Sequence, residues 1–338
     1  MANMWGLLFI MITMSEVQLH NISFKYKESN TLFNKFNFSF TQGDFTFVLG
    51  ANGSGKSTLL GLVLGRHIPF EGEILFDGSV IKTREKLANL IGYIPQEQSL
   101  DGEMTVSDII DFKASFYFLF GSKLKQQKEK IVKALAIEEL LSKQIKKLSG
   151  GQKQLVNIAL GLIHEPELIL LDEPFVGLDF DKTAKLMKFL KELNKTIICI
   201  THNIDLAERY ADTILLLKAG KIIEQGKPSD IIEANRYVLQ EIELKDKMEI
   251  NLPERVKVDK QQNKISLSYL KSKELEQKLN AFLQANTANI LRIKKSESTL
   301  QSSIIGLHHI SLDEFQKKEK QGGGKGDGTG GGNKKQKA

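Results

Sequence analysis

Eight residues constrain this chain more than any others: Gly50-Ala-Asn-Gly-Ser-Gly-Lys-Ser57, directly behind the apolar run Phe45-Thr-Phe-Val-Leu49. They fit the pattern G-x-x-x-x-G-K-[ST] without a mismatch. The glycines free the backbone to wrap tightly, so that successive N–H groups converge at the start of the helix expected over 57–64. Such a concavity takes phosphate groups. Gly50, Asn52, Gly53, Ser54, Gly55, Lys56, Ser57 and Thr58 are therefore candidate nucleotide contacts. Lys56 offers a cation to the β- and γ-phosphates, and the Ser57 hydroxyl can ligate Mg²⁺.

The rest of the chain supplies the sheet that such a loop requires. Short strands rich in Phe and Val are expected at 17–24, 36–40 and 45–49, then at 72–76 and 91–94. Residues 105–142 carry apolar positions at helical spacing among many Lys and Glu, which predicts two or three helices. Helices at 150–163, 181–194 and 204–210 then alternate with strands at 168–171 and 196–200, and a hairpin pairs 213–217 with 221–224. The fold class is α/β: a P-loop NTPase with a mixed sheet, an inserted α-helical subdomain at about 100–150, and a small α+β C-terminal domain. The amphipathic stretch 229–244 suggests a helix leading outward. A second unit is expected from near 251, in β-β-α-β-α order: strands 255–258 and 265–269, helix 272–284, strand 290–293, helix 312–318. The expected organisation is an apolar N-terminal extension (1–14), a nucleotide-binding domain (15–237), an accessory domain (238–318) and a disordered Gly/Lys-rich tail (319–338).

Composition excludes several classes. The 47 basic and 41 acidic side chains of the 338 residues give a net charge of +6, but the last 22 residues alone carry +5. A body near neutrality is not the footprint of a DNA-binding domain, so nucleic acid is an unlikely partner. The basic tail offers at most weak contact with anionic lipid. The single cysteine, Cys199, excludes an intramolecular disulfide framework or a multi-cysteine zinc cluster, and its apolar run Thr196-Ile-Ile-Cys-Ile200 reads as buried. Met4 to Met14 is uncharged, but as a helix it reaches only about 17 Å against a hydrocarbon core of roughly 30 Å. The preferred reading is that Met14 is the natural start; the alternative is a short interfacial anchor. With no other stretch long and apolar enough to span a bilayer, any membrane role falls to a partner.

Leu168-Ile-Leu-Leu-Asp-Glu-Pro174 ends a buried strand in two carboxylates. At the carboxyl end of the same sheet as the phosphate loop, Asp172 can hold the Mg²⁺ shell and Glu173 can act as general base toward water. Leu148-Ser-Gly-Gly-Gln152 opens a helix, where Ser149 and the glycines make a further anion site. Together the three motifs resemble the ATP-binding cassette family over roughly 17–237, and the helical insertion is similar to that family's α-helical subdomain. The resemblance implies that Ser149, Gly150, Gly151 and Gln152 complete the nucleotide pocket of a second ATPase subunit, with two ATP molecules per homo- or heterodimer. It also implies roles for Tyr26 (stacking on adenine), Gln96 (Mg²⁺ and attacking water), Asp179 (reading across the dimer) and His202 (contact with the γ-phosphate). The implied protein is a peripheral ATPase on the cytoplasmic face of the membrane, driving a transmembrane permease. His20, His67, His164, His308 and His309 receive no role.

Two departures stand out. Leu155 occupies a position where the family commonly has arginine, which implies altered packing rather than lost hydrolysis. Phe175-Val-Gly-Leu-Asp179 replaces the commoner Thr-Ser-Ala-Leu-Asp form and, with the C-terminal unit, resembles exporters of the ABC-2 type. The rival reading is a soluble superfamily ATPase acting on ribosomes or nucleic acid. It is disfavoured by the single cassette, the absence of a heptad array and the lone cysteine.

Overall fold

The structure is a computed structural model that describes residues 16–27, 30–81, 83–97, 99–235, 237–245, 257–261, 264–270, 273–296 and 299–308. The chain starts with β1 (Glu16–Phe24), β2 (Phe33–Thr41) and β3 (Phe45–Gly50). Then come α1 (Lys56–Val63), β4 (Glu71–Phe76), α2 (Arg84–Leu90) and β5 (Ile91–Ile94). β2 shows how sequence sets its place: Phe36, Phe38 and Phe40 are buried while Asn37 and Ser39 face water, the period of two that a half-buried strand demands. It joins β1 and β4 in a three-stranded antiparallel sheet. The strands differ from expectation only at their ends, but α2 was not expected. None of its residues is fully buried; Leu87 and Leu90, one turn apart, pack half-buried on the core, too short a pattern to mark a helix, and its start is marked by the Thr83 hydroxyl accepting from the Lys86 N–H.

The helical insertion follows as α3 (Val106–Ser115) and α4 (Gly121–Leu135). Next are α5 (Gly150–Leu162), β6 (Leu168–Asp172), α6 (Phe180–Glu192) and β7 (Thr196–Ile200). α7 (Ile204–Tyr210), β8 (Thr213–Lys218), β9 (Lys221–Gly226) and α8 (Pro228–Ala234) complete the first unit. Its central sheet has the order β5-β6-β7-β3-β8-β9, with five parallel strands and β9 closing an antiparallel hairpin on β8. Every residue of β3 and β7 is buried, as expected of parallel strands covered on both faces. Alternate residues serve opposite cores. Phe45, Phe47, Leu49 and Cys199 pack with α3, α5 and α6, whereas Val48, Ile198 and Ile200 pack toward α1 and the antiparallel sheet. Cys199 is fully buried, and that burial pushes its thiol well above the ordinary value.

The second unit corrects the sequence reading. The helix expected over 229–244 stops at Ala234, and Tyr237–Leu244 forms strand β10 instead. Val238, Gln240, Ile242 and Leu244 are buried, a spacing of two residues that a helical reading misassigns. Asn235 ends the helix, its side-chain amide donating to the Ile231 carbonyl and to Glu224. β11 (Lys257–Gln261), β12 (Lys264–Leu270), α9 (Lys273–Ala285), β13 (Ile290–Ser296) and α10 (Leu300–His308) follow. The antiparallel sheet order is β11-β12-β10-β13; β10 and α10 were both unexpected, and through 308 the element order is β-β-β-α-β-α. Its core is Val238, Ile242, Leu267, Tyr269, Leu275 and Leu279. α10 turns back onto the first unit, burying Leu300 and Ile304 in its main core. The Leu300 N–H donates to the Glu208 carboxylate at 2.9 Å and the Ser303 hydroxyl to the Asn235 carbonyl at 2.7 Å. The apolar extension 1–14, the helix expected at 312–318 and the tail 319–338 lie outside the described residues.

Candidate active site

The phosphate loop lies between the carboxyl end of β3 and the start of α1. Gly50, Gly53 and Gly55 have φ of +153°, +77° and +107°, values that side-chain-bearing residues rarely adopt. A Cβ at Gly50 would collide with the Leu217 carbonyl oxygen and lie 2.6 Å from Ser54 Oγ. No side chain caps α1, so its first N–H groups are left to the loop's concavity. Buried Lys56 crosses that concavity, its Nζ donating to the carbonyls of Gly50 at 2.7 Å and Ala51 at 3.1 Å. Ser57 is exposed on the first turn, and buried Ser54 Oγ has no hydrogen-bond partner among the described residues. Thr58 Oγ1 sits 2.9 Å from the Tyr26 hydroxyl, whose half-exposed ring meets Phe24 and His67 edge to face.

Sheet register brings the carboxylates to the same edge. Val48 on β3 pairs with Ile200 on β7, and Ile200 pairs with Asp172 on β6, so the three form one row. At roughly 4.8 Å per strand the Cα atoms of Asp172 and Val48 are about 10 Å apart. Glu173 follows at φ +50°, a left-handed turn held by its N–H donating to the Ile200 carbonyl at 3.0 Å. Its carboxylate accepts from the His202 backbone N–H at 3.3 Å, and His202 Nε2 approaches Oε1 to 3.3 Å without hydrogen-bond alignment. Burial is the largest influence on Glu173 and pushes its carboxyl up to about 7. Asp172 acts in the same direction, whereas the His202 N–H, Lys56 and the Thr201 hydroxyl act against it. A carboxyl of that strength exchanges a proton near neutrality, the property a general base needs.

The remaining sites group elsewhere. Ser149 and Gln152 form a reciprocal capping box at the start of α5: Gln152 N–H donates to Ser149 Oγ at 3.3 Å, and Ser149 N–H to Gln152 Oε1 at 2.9 Å. Ser149 and Gly150 are exposed, while a Cβ on Gly151 would collide with the Gly177 carbonyl. Asp179 caps α6, accepting from the Lys182 N–H at 2.9 Å and pairing with its ammonium at 2.6 Å; these bonds hold its carboxyl below the ordinary value. Gln96 is exposed beyond β5 and makes no side-chain hydrogen bond among the described residues. Thus Lys56, Asp172, Glu173 and His202 converge on one sheet edge. The Ser149 turn instead packs on the turn that leads to Asp179. Sequence reasoning missed Gln154, whose buried amide donates to the Pro174 carbonyl at 3.1 Å and ties α5 to the carboxylate turn. A buried amide in an apolar helix face was the available signal. Leu155, the departure from arginine, is 5% exposed in the main core.

A parallel sheet with a phosphate loop at its carboxyl edge, a buried cation and an adjacent carboxylate define a P-loop nucleotide hydrolase. Residues 33–176 match the family model described as ABC transporter. The chain is 40% identical over 214 residues to the ergothioneine transport ATP-binding protein EgtV of Helicobacter pylori (strain G27), covering 61% of this chain and 98% of that one. It is 34% identical over 234 residues to ABC transporter G family member 20 of Dictyostelium discoideum, covering 67% of this chain but only 31% of that longer relative. The solved structure of cbiO1 from Clostridium perfringens, part of the transporter complex cbiONQ, superposes with a TM-score of 0.59 at 33% identity, covering 64% of this chain and 90% of that one. The chain belongs to the ABC transporter ATP-binding family, whose members hydrolyse ATP to drive transport. Among the described residues no helix is long and apolar enough to cross a membrane.

Proposed function

We propose that this chain pairs with a second ATPase subunit around two ATP molecules and drives a separate transmembrane permease from the cytoplasmic face of the membrane. The observation that carries the chemistry is Glu173, buried beside His202 and Lys56 at the phosphate-loop edge with its carboxyl at about 7. Lys56 holds the β- and γ-phosphates, exchanging its loop carbonyls for phosphate oxygens. Glu173 takes a proton from the attacking water, while His202 orients that carboxylate and reaches the γ-phosphate. Tyr26 stacks on adenine and Gln96 closes over the water. The Asp172 carboxylate and the Ser57 hydroxyl are hard oxygen donors that fit Mg²⁺. When bound, Mg²⁺ neutralises charge developing between the β- and γ-phosphates. Ser149 and Gly150 are exposed where α5 opens and Gly151 and Gln152 half-exposed, which supports their use by a partner's nucleotide, with the Asp179 turn packed on Gly151. The Val-Gly-Leu-Asp form of the Asp179 turn supports export of the ABC-2 kind.

Replacing Glu173 by Gln tests this reading. The variant should keep MgATP binding, lose turnover by about a hundredfold or more, and elute as a stable dimer with MgATP in size-exclusion chromatography. Unchanged turnover refutes the base, and a monomer at saturating MgATP refutes the composite site. Lys56→Ala should weaken ATP binding itself, measured by calorimetry.

A further inference from the structure

The phosphate loop is braced from outside by the turn between β8 and β9. That turn has two residues, Ala219 and Gly220, at φ +48° and +74°. Two-residue hairpin turns favour such values because they match the twist of the strands, and asparagine, aspartate or glycine usually takes the first position. Alanine cannot offset the crowding of its Cβ there with a side-chain hydrogen bond, so its surroundings must impose the conformation. Those surroundings are the nucleotide site. The Gly220 N–H donates to the Ser54 carbonyl at 2.9 Å, and a Cβ on Gly220 would collide with the Leu32 carbonyl. Just before the turn, Leu217 pairs with Gly50, its carbonyl in the space a Gly50 Cβ would need. From the β2 side, the Phe33 ring comes to 3.0 Å from where a Gly55 Cβ would stand.

Turn geometry alone does not call for this crowding. Asp77 and Gly78 make a turn of nearly the same φ values, +51° and +71°, between the bridged residues Phe76 and Ser79. A Cβ on Gly78 would meet nothing within 4 Å. In a two-residue turn the hairpin's own hydrogen bond joins the flanking residues, here Lys218 and Lys221, and leaves the second turn N–H free for another acceptor. Gly220 gives that N–H to Ser54. A trans peptide is planar, with its C=O and N–H on opposite sides. Drawing the Ser54 carbonyl out toward the hairpin therefore turns the Gly55 N–H of the same peptide the other way, toward the concavity that Lys56 crosses.

We propose that Gly220 is a positioning residue for nucleotide binding: its N–H fixes the Ser54–Gly55 peptide so that the Gly55 N–H is presented to a phosphate oxygen. The inference rests on the reading that this loop holds the phosphates of ATP. Gly220 touches no nucleotide itself and acts through Ser54. Any side chain at 220 must either displace Leu32 or withdraw the N–H from Ser54, and the second releases the peptide to rotate. A donor that has to be re-aimed on binding costs affinity that a fixed one does not.

Calorimetry with MgATP and steady-state turnover of the full chain test it. Gly220→Ala should weaken MgATP binding and raise KM by about tenfold, with kcat at saturating ATP kept within about twofold. Gly78→Ala imposes the same φ strain away from the loop, so it should lower the melting temperature but leave affinity and KM at wild type. Hydrogen exchange at the Gly220 amide of the wild type, followed by NMR, needs no variant to fold. A phosphate held by the Gly55 N–H stabilises the Ser54–Gly220 bond in return, so exchange should slow by about tenfold when MgATP saturates the site. Wild-type affinity in Gly220→Ala, or exchange at Gly220 indifferent to MgATP, overturns the proposal. Lys56→Ala separates that failure from a deeper one. If Lys56→Ala loses ATP binding while Gly220→Ala keeps it, the phosphate loop stands and only the part given to Gly220 falls. If both variants keep it, the loop does not hold the phosphates and both readings fall.

Discussion

At Glu173, the proposed base, two demands conflict: a base must ionise, and burial favours the neutral acid. The folded protein holds its carboxyl at about 7, above the ordinary 4.5, so it keeps a proton that the unfolded chain releases between those values. The stability gained from the neutral acid is therefore complete below the unfolded value and lost as pH rises through the folded one. Glu173→Gln, which cannot ionise, should match wild type in urea melts at about pH 4 and exceed it by up to about 3 kcal/mol at about pH 8. A variant no more stable than wild type at the higher pH would mean the carboxylate is well solvated. Wild-type kcat/KM, which reports the nucleotide-free protein, should fall as pH drops through about 7 and level off above it, because only the ionised carboxylate accepts a proton. The acid pair was legible as the end of an apolar strand run. The environment that tunes Glu173 was not, because Thr201 and His202 lie 28 and 29 positions away and arrive through the β6–β7 register.

Among the elements, α5 links the two halves of the candidate site. Its Ser149 end presents the exposed glycine turn, and one turn later Gln154 holds the Pro174 carbonyl behind Asp172 and Glu173. Gln154→Leu keeps the helix and its volume but strands a buried carbonyl, at a cost of about 1–3 kcal/mol. Turnover should fall about tenfold while ATP affinity at the phosphate loop is kept; an equal loss of both would make the residue merely structural. Element identity was readable wherever burial imposed one period, as in the alternating phenylalanines of β2 or the wholly apolar β7. It failed in two opposite ways. α2 packs only Leu87 and Leu90, both half-buried, which is too short a pattern to read, while β10 follows α8 so closely that a strand's period was absorbed into a helix's.

At the scale of the whole molecule, the C-terminal unit is more than an appendage. Its sheet has a core of its own, and α10 packs on β10 and β12 of that sheet as well as on α7 and α8, while Leu300 and Ile304 lie among the residues of the cassette's main core. α7 begins two residues after His202 and its Glu208 accepts from the Leu300 N–H, so α10 also braces the segment that follows His202. Ile304→Ala removes buried methyl groups there and should destabilise the protein by about 2–4 kcal/mol. Where the loss appears decides how the units are joined. If α10 serves the cassette, hydrogen exchange should quicken most in α7 and α8 while α9, which closes over Leu275 and Leu279, keeps its protection. Faster exchange confined to β12 and α9 would mean that α10 belongs energetically to its own small sheet, and that the C-terminal unit could be removed without disturbing the nucleotide site.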